Sequence, residues 1–155
     1  MTDPPPTAGT KMTQSEIDSF LEGVGHGVLS MGVEDHGYGL PITYWYDPTD
    51  RQVILGFLQV PESKKARFLT ETEEVTLTVY DFEDMDVWES VIVTGSLEPL
   101  ADPDVPERFA TLFFVREEGN PGGKQAYNWG QYDRAWYEID IDDISGRYSG
   151  PGTVD

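Results

Sequence analysis

The chain has no cysteine and only two histidines, His26 and His36, among its 155 residues. Without cysteine there is no disulfide framework, no thiolate metal site and no cysteine nucleophile. The two histidines flank a predicted strand and share no ligand-like spacing with carboxylates, so no metal site is read from them. Long hydrophobic runs are missing as well. Val53–Leu58, interrupted by Gly56, is strand-sized and far short of the roughly 20 apolar residues that span a bilayer. The first ten residues are Pro, Gly and Thr-rich with no apolar stretch, which reads as a loose tail and not as a signal peptide. No Gly-x-Ser-x-Gly occurs, which excludes a nucleophile elbow. Gly119–Gln125 lacks the glycine spacing and the Ser/Thr of a phosphate-binding loop, and no strand precedes it. These absences lead to the expectation of a soluble, cytoplasmic protein.

Basic residues are the next scarcity. Ten Lys and Arg stand against 29 Asp and Glu, for a net charge of −19. A field of that sign excludes nucleic acid or an anionic membrane as a partner bound through general electrostatics. The acids are scattered through every predicted element and do not form a tail, and only Lys11, Lys64, Lys65 and Lys124 are lysine. A dense acidic surface depleted in lysine suits a salt-filled cytoplasm, where the Debye length falls to about 3 Å at 1 M and self-repulsion is screened. Against that background, paired acids such as Asp142-Asp143 and Glu117-Glu118 read as solvated faces. What is present is a globular composition: hydrophobic residues at 38% and aromatics at 12% exclude a disordered chain. The length predicts one domain over residues 13–149, between tails at 1–12 and 150–155.

Periodicity places the elements. Thr13 and Glu16 stand at capping-box spacing ahead of Ile17, Phe20 and Leu21, so a short amphipathic helix starts there. Strands are predicted over Val28–Val33, Leu40–Tyr46 and Gln52–Leu58, joined by turns at Glu34–Gly37 and Asp47–Asp50. A second helix is predicted over Pro61–Thr70, an alternating strand over Val75–Val79 and a long strand over Val87–Leu97. In that long strand Trp88, Ser90, Ile92 and Thr94 share one face, and Val91 and Val93 share the other. A third helix opens at Asp104, a loop covers Glu117–Asp133, and Ala135–Ile141 is the last strand. The sum is an α+β protein: a mainly antiparallel, six-stranded barrel with short flanking helices.

Two features rise above this background. Ser63-Lys64-Lys65-Ala66-Arg67 concentrates three of the ten basic residues in the first turns of a predicted helix. Basic side chains oppose the dipole at a helix N-terminus, so the placement costs stability unless an anion binds there. A phosphate site is one reading; surface salt bridges with Glu62, Glu71 or Glu73 are the other. Trp88 and Ser90, an aromatic plane beside a hydroxyl, would suit the edge of a planar heterocycle, although Trp on a strand also serves a core.

In chain order, Gly25–Met31, Leu40–Tyr44, Val53–Phe57, Ser63–Ala66 and Trp88–Gly95 resemble the pyridoxamine 5′-phosphate oxidase-like, FMN-binding split-barrel family, in a form common in halophilic archaea. The pairing of Ser-Lys-Lys-Ala with the later Ser-Val-Ile-Val-Thr-Gly carries most of the likeness. The resemblance implies a homodimer with FMN in clefts at the interface. By position, Ser63, Lys64 and Lys65 would hold the phosphate. The backbone of Pro41, Ile42, Thr43, Phe57 and Leu58 would line the isoalloxazine and ribityl chain, Ser90 would contact the cofactor and Trp88 would wall the cleft. The C-terminal arginine-and-proline motif of true pyridoxamine phosphate oxidases is absent, and Arg147 stands in a different context. The implied activity is therefore that of an FMN-dependent oxidoreductase on an unidentified small molecule. The alternatives are a deazaflavin-dependent reductase, or a flavin- or haem-binding carrier or sensor without turnover, in which His26 or His36 would be an axial ligand. No general acid or base stands out; Tyr44, Tyr127 and Tyr132 are the candidate proton donors.

Overall fold

The computed structural model describes residues 9–58, 63–101 and 134–150. It begins with strand β1 (Thr10–Lys11) and helix α1 (Gln14–Val24). The capping box is in place: Thr13 Oγ1 accepts the Glu16 N–H at 3.2 Å, and the Glu16 carboxylate accepts the Thr13 N–H at 2.9 Å. The helix ends where Gly25 turns to φ 78°, the left-handed cap that glycine adopts most readily. Strands β2 (His26–Val33), β3 (His36–Asp47) and β4 (Gln52–Leu58) form the predicted meander. Helix α2 (Lys64–Glu71) leads to β5 (Val75–Asp84), β6 (Val87–Leu100) and β7 (Arg134–Tyr148). The helix expected from Asp104 and the loop at Glu117–Asp133 lie outside the described residues.

All pairings are antiparallel, in the order β1-β7-β4-β3-β2-β5-β6, and β6 pairs back onto β7 to close a barrel. The result is a split-barrel α+β fold with six principal strands and a two-residue seventh. Alternation fills the interior with Leu29, Met31, Tyr44, Tyr46, Val53, Leu55, Phe57, Leu77, Val79, Val91, Val93 and Ile139, all buried. The helices stopper the two ends. Phe68 of α2 packs on Tyr38 at one end. Leu21 and Asp18 of α1 receive the hydroxyls of Tyr44 and Tyr46 at the other.

Two expectations are corrected. Residues 10–12 are not part of a loose tail: Thr10 and Lys11 pair with Tyr148 and Arg147, and Met12 is buried, because the outer edge of β7 has ladder groups that need partners. The last strand does not stop at Ile141 but runs to Tyr148. The β6–β7 register skips Asp142, which shifts the inward phase from Ile139 and Ile141 to Ile144 and Tyr148. A bulge of this kind breaks a period-two pattern without ending the ladder.

Candidate functional site

The barrel is split between β3 and β4. Their ladder runs from Asp47↔Gln52 to Tyr44↔Leu55 and stops. Beyond it β3 continues from Thr43 to His36 paired only with β2, while Gly56, Phe57 and Leu58 pair only with β7. Pro41, Ile42 and Thr43 therefore form one bank of the opening, and Phe57 and Leu58 the other. Backbone N–H and C=O groups on these banks have no ladder partner across the split. Pro41, which brings no N–H, suits such an edge. Phe57 anchors its bank by burying its ring edge-on against Tyr137, centroids 5.7 Å apart.

Helix α2 is the next described element after β4. Ser63 is its N-cap, and its Oγ accepts the Ala66 N–H at 3.0 Å. Lys64 and Lys65 occupy the first turn, as the sequence indicates. Of the three basic residues only Arg67 is ion-paired among the described residues, Nε to Glu71 Oε2 at 2.7 Å. Among the described residues the salt-bridge reading thus holds for Arg67 and not for the lysines; Glu62 lies outside them. Lys64 Nζ lies 5.2 Å from the ring centroid of Tyr38 and 5.8 Å from that of Phe68. Lys65 is half-buried, and loss of solvent lowers its pKa below the ordinary lysine value. Two lysines with no carboxylate partner among the described residues, in a chain with 29 acids, make a cationic helix start beside the split.

Trp88 and Ser90 are elsewhere. Tyr38 pairs with Met31, whose neighbour Ser30 pairs with Thr76. Ser90 pairs with Tyr80 and Trp88 with Phe82, four and six residues further along β5 than Thr76. At a strand rise of about 3.3 Å per residue these positions are roughly 13 and 20 Å from the Lys64 end of the barrel. Pro41, Ile42, Thr43, Phe57 and Leu58 line the two banks and Ser63, Lys64 and Lys65 begin α2, whereas Trp88 and Ser90 stand on the outer face of β6, three strands round from β3, with Ser90 at the level of Thr43. Their surroundings are apolar and open. Tyr80, Phe82 and Ile92 are their neighbours on that outer face, and Met85 and Val87 stand at the hairpin tip; these are the exposed large hydrophobics among the described residues.

Tyr44 is not a free proton donor. It is 3% exposed, its O–H donates to the Leu21 carbonyl at 2.7 Å, and its oxygen accepts the Gly25 N–H at 3.3 Å. Burial pushes its pKa up to about 12. Tyr127 and Tyr132 lie outside the described residues. His26 and His36 are both exposed, and no group of three or more His, Asp or Glu suited to a metal occurs among the described residues. Tyr38, by contrast, escaped the sequence reading. It lies two positions before Leu40, in phase with the inward face, but its contact with α2 depends on how the helix folds back.

An open groove of about 560 Å³ lies between the β3–β4 turn and β7, and one of about 550 Å³ between α1 and the β5–β6 hairpin. Neither contains any of the candidate cofactor residues.

Residues 13–148 match the family model described as pyridoxamine 5′-phosphate oxidase. A comparison with curated proteins finds no match. Among solved structures, a FAD-binding protein from Mesorhizobium loti superposes with a TM-score of 0.64 at 19% identity, covering 91% of this chain and 98% of its own. The FAD binding protein from Mycobacterium smegmatis gives 0.59 at 18%, covering 90% and 99%. A FAD and heme binding protein from the same organism gives 0.61 at 14%, covering 92% and 74%. At these identities the likeness is one of fold. No helix among the described residues is long and apolar enough to cross a membrane.

Proposed function

Since the chain belongs to the pyridoxamine 5′-phosphate oxidase family, we propose that it is an FMN-dependent oxidoreductase that works as a homodimer on a small molecule. The observation that carries this reading is the pair of lysines with no carboxylate partner among the described residues at the start of α2, beside a split whose banks offer backbone groups without a ladder partner across it. A phosphate monoester needs local positive charge to offset its desolvation, all the more in a chain of net charge −19. A flavin ring needs edge hydrogen bonds of the kind that bare strand banks provide.

Bound flavin would supply the hydride chemistry; the protein supplies orientation, exclusion of water and tuning of the ring. In this reading Lys64 and Lys65 hold the phosphate, with the Ser63 cap fixing the helix start. The backbone of Pro41, Ile42, Thr43, Phe57 and Leu58 orients the ring. Trp88 and Ser90 reach the cofactor of the other protomer, since within one chain they face outward from a strand three removed from β3. The apolar outer face formed by Tyr80, Phe82 and Ile92 is the surface that this second copy covers.

The test is selective loss of the phosphate contact. Hydrogen bonds to charged groups contribute roughly 1.5–3 kcal/mol each, so Lys64→Ala with Lys65→Ala weakens FMN binding by about a hundredfold or more. Riboflavin, which has no phosphate, binds the double variant like the parent. Unchanged FMN affinity would remove the phosphate site, and equal losses for both flavins would assign the lysines to general stability. The visible spectrum of the purified protein separates flavin from haem.

A further inference from the structure

We propose that Tyr38 is a positioning residue for the phosphate: the face of its ring holds the Lys64 ammonium at the start of α2 while leaving its charge uncancelled. The inference rests on the phosphate-site reading above and adds to it a residue that contacts neither phosphate nor flavin ring.

Tyr38 lies on the stretch of β3 that pairs only with β2, half-buried and packed against the core. Phe68 is four residues after Lys64, so the two stack on one side of α2. Phe68 is also 2% exposed, which locks its ring in place. The Tyr38 ring meets it with centroids 5.2 Å apart and planes tilted by 45°. Lys64 Nζ sits over both rings. One ring of this platform is thus placed by helix spacing and the other by the fold, which brings β3 under a helix 26 positions later in the chain.

The chemistry of the platform matters because of what it replaces. In a chain with 29 acids the ordinary partner for a lysine is a carboxylate, and a carboxylate would neutralise the ammonium and repel a phosphate. A ring face attracts the ammonium through its quadrupole and carries no net charge. The lysine stem is therefore held near one geometry before an anion arrives, and N–H donors remain free for it. Preorganisation of this kind strengthens binding by reducing the rotamer freedom lost on association. The Tyr38 hydroxyl makes no hydrogen bond among the described residues, so the ring face is the functional part.

The experiment measures FMN and riboflavin affinity, by quenching of flavin fluorescence, for the full-length parent, Tyr38→Leu, Tyr38→Phe, Lys64→Ala and the Tyr38→Leu/Lys64→Ala pair. The expected loss of FMN affinity in Tyr38→Leu is about three- to tenfold. Tyr38→Phe keeps the ring and binds like the parent, and riboflavin affinity is unchanged in both. In the Lys64→Ala background, Tyr38→Leu causes no further loss, since the two residues act as one unit. Parent-like FMN binding by Tyr38→Leu, or an undiminished loss in the Lys64→Ala background, overturns the proposal. So does a parallel loss of riboflavin, which would make the ring a packing element only. If Lys64→Ala itself binds FMN like the parent, it is the phosphate reading that fails.

Discussion

Tyr44 and Tyr46 show how single side chains fix the end of the barrel opposite the lysines. Both point inward from β3, and both hydroxyls reach α1: Tyr44 donates to the Leu21 carbonyl at 2.7 Å and Tyr46 to Asp18 Oδ1 at 2.6 Å. Burial raises both pKa values, that of Tyr44 to about 12 from 10.0, and the Asp18 carboxylate pushes Tyr46 in the same direction. A tyrosine whose folded pKa is raised contributes its stability fully below the unfolded pKa. Between pH 10 and 12 the unfolded chain releases the Tyr44 proton and the folded chain keeps it, so stability falls as pH rises through that window. Two units correspond to about 2–3 kcal/mol. Denaturant melts from pH 8 to 11.5 test this. The parent loses stability above pH 10 more steeply than Tyr44→Phe, which starts lower because the Leu21 carbonyl and Gly25 N–H lose their partner. Parallel alkaline limbs would mean that Tyr44 does not titrate with unfolding.

Strand β4 carries the corresponding argument for elements. On its outer face Gly56 lies directly beneath the indole of Trp136 on β7; a Cβ there would fall 2.7 Å from the ring. Gly56 also adjoins Phe57, so the ring holds down the bank of the split that β3 no longer pairs with. Gly56→Ala displaces Trp136 and lowers stability by about 1–3 kcal/mol, the usual cost of overpacking. A lowered thermal midpoint with red-shifted tryptophan emission is the expected signature, and an unchanged midpoint would show that the indole moves aside freely. This interplay of strands marks the limit of what the sequence discloses. Uninterrupted alternation in Val75–Val79 and Val87–Leu97 reveals both strands and their faces, and the capping box reveals α1. The lysine pair is legible because lysine is so rare in this chain. The split is not, because β3 and β4 each keep a sound strand pattern after they part. Nor is the phase shift at Asp142, where a bulge resembles a strand end. The separation of Trp88 from Lys64 depends on the register of three successive strand pairings, which no local pattern encodes.

The whole molecule sets the apolar outer face against its own charge. Tyr80, Phe82 and Ile92 are 57%, 56% and 43% exposed and neighbour one another on the outer face, the apolar surface proposed above as the dimer contact. The same hairpin carries Asp81, Glu83, Asp84, Asp86 and Glu89, all exposed, so a second copy brought to this face adds acid to acid. At 0.1 M ionic strength the Debye length is about 10 Å and this repulsion acts across the interface; at 1 M it is about 3 Å and only near neighbours feel it. Burial of apolar surface, by contrast, does not weaken in salt such as KCl. In the proposed dimer, where each cleft would draw residues from both chains, dimerisation, thermal stability and FMN affinity should therefore rise together from dilute buffer to molar KCl. Ile92→Glu separates the three effects. The substitution adds a charge at the centre of the outer face without touching the barrel interior, so the variant stays folded but monomeric in molar KCl and binds FMN weakly. Light scattering, melting curves and flavin titrations at the two salt levels check the set. A monomer that binds FMN tightly at high salt would show that one chain holds the whole site, and equal midpoints at both salt levels would show that the charge of −19 is locally compensated.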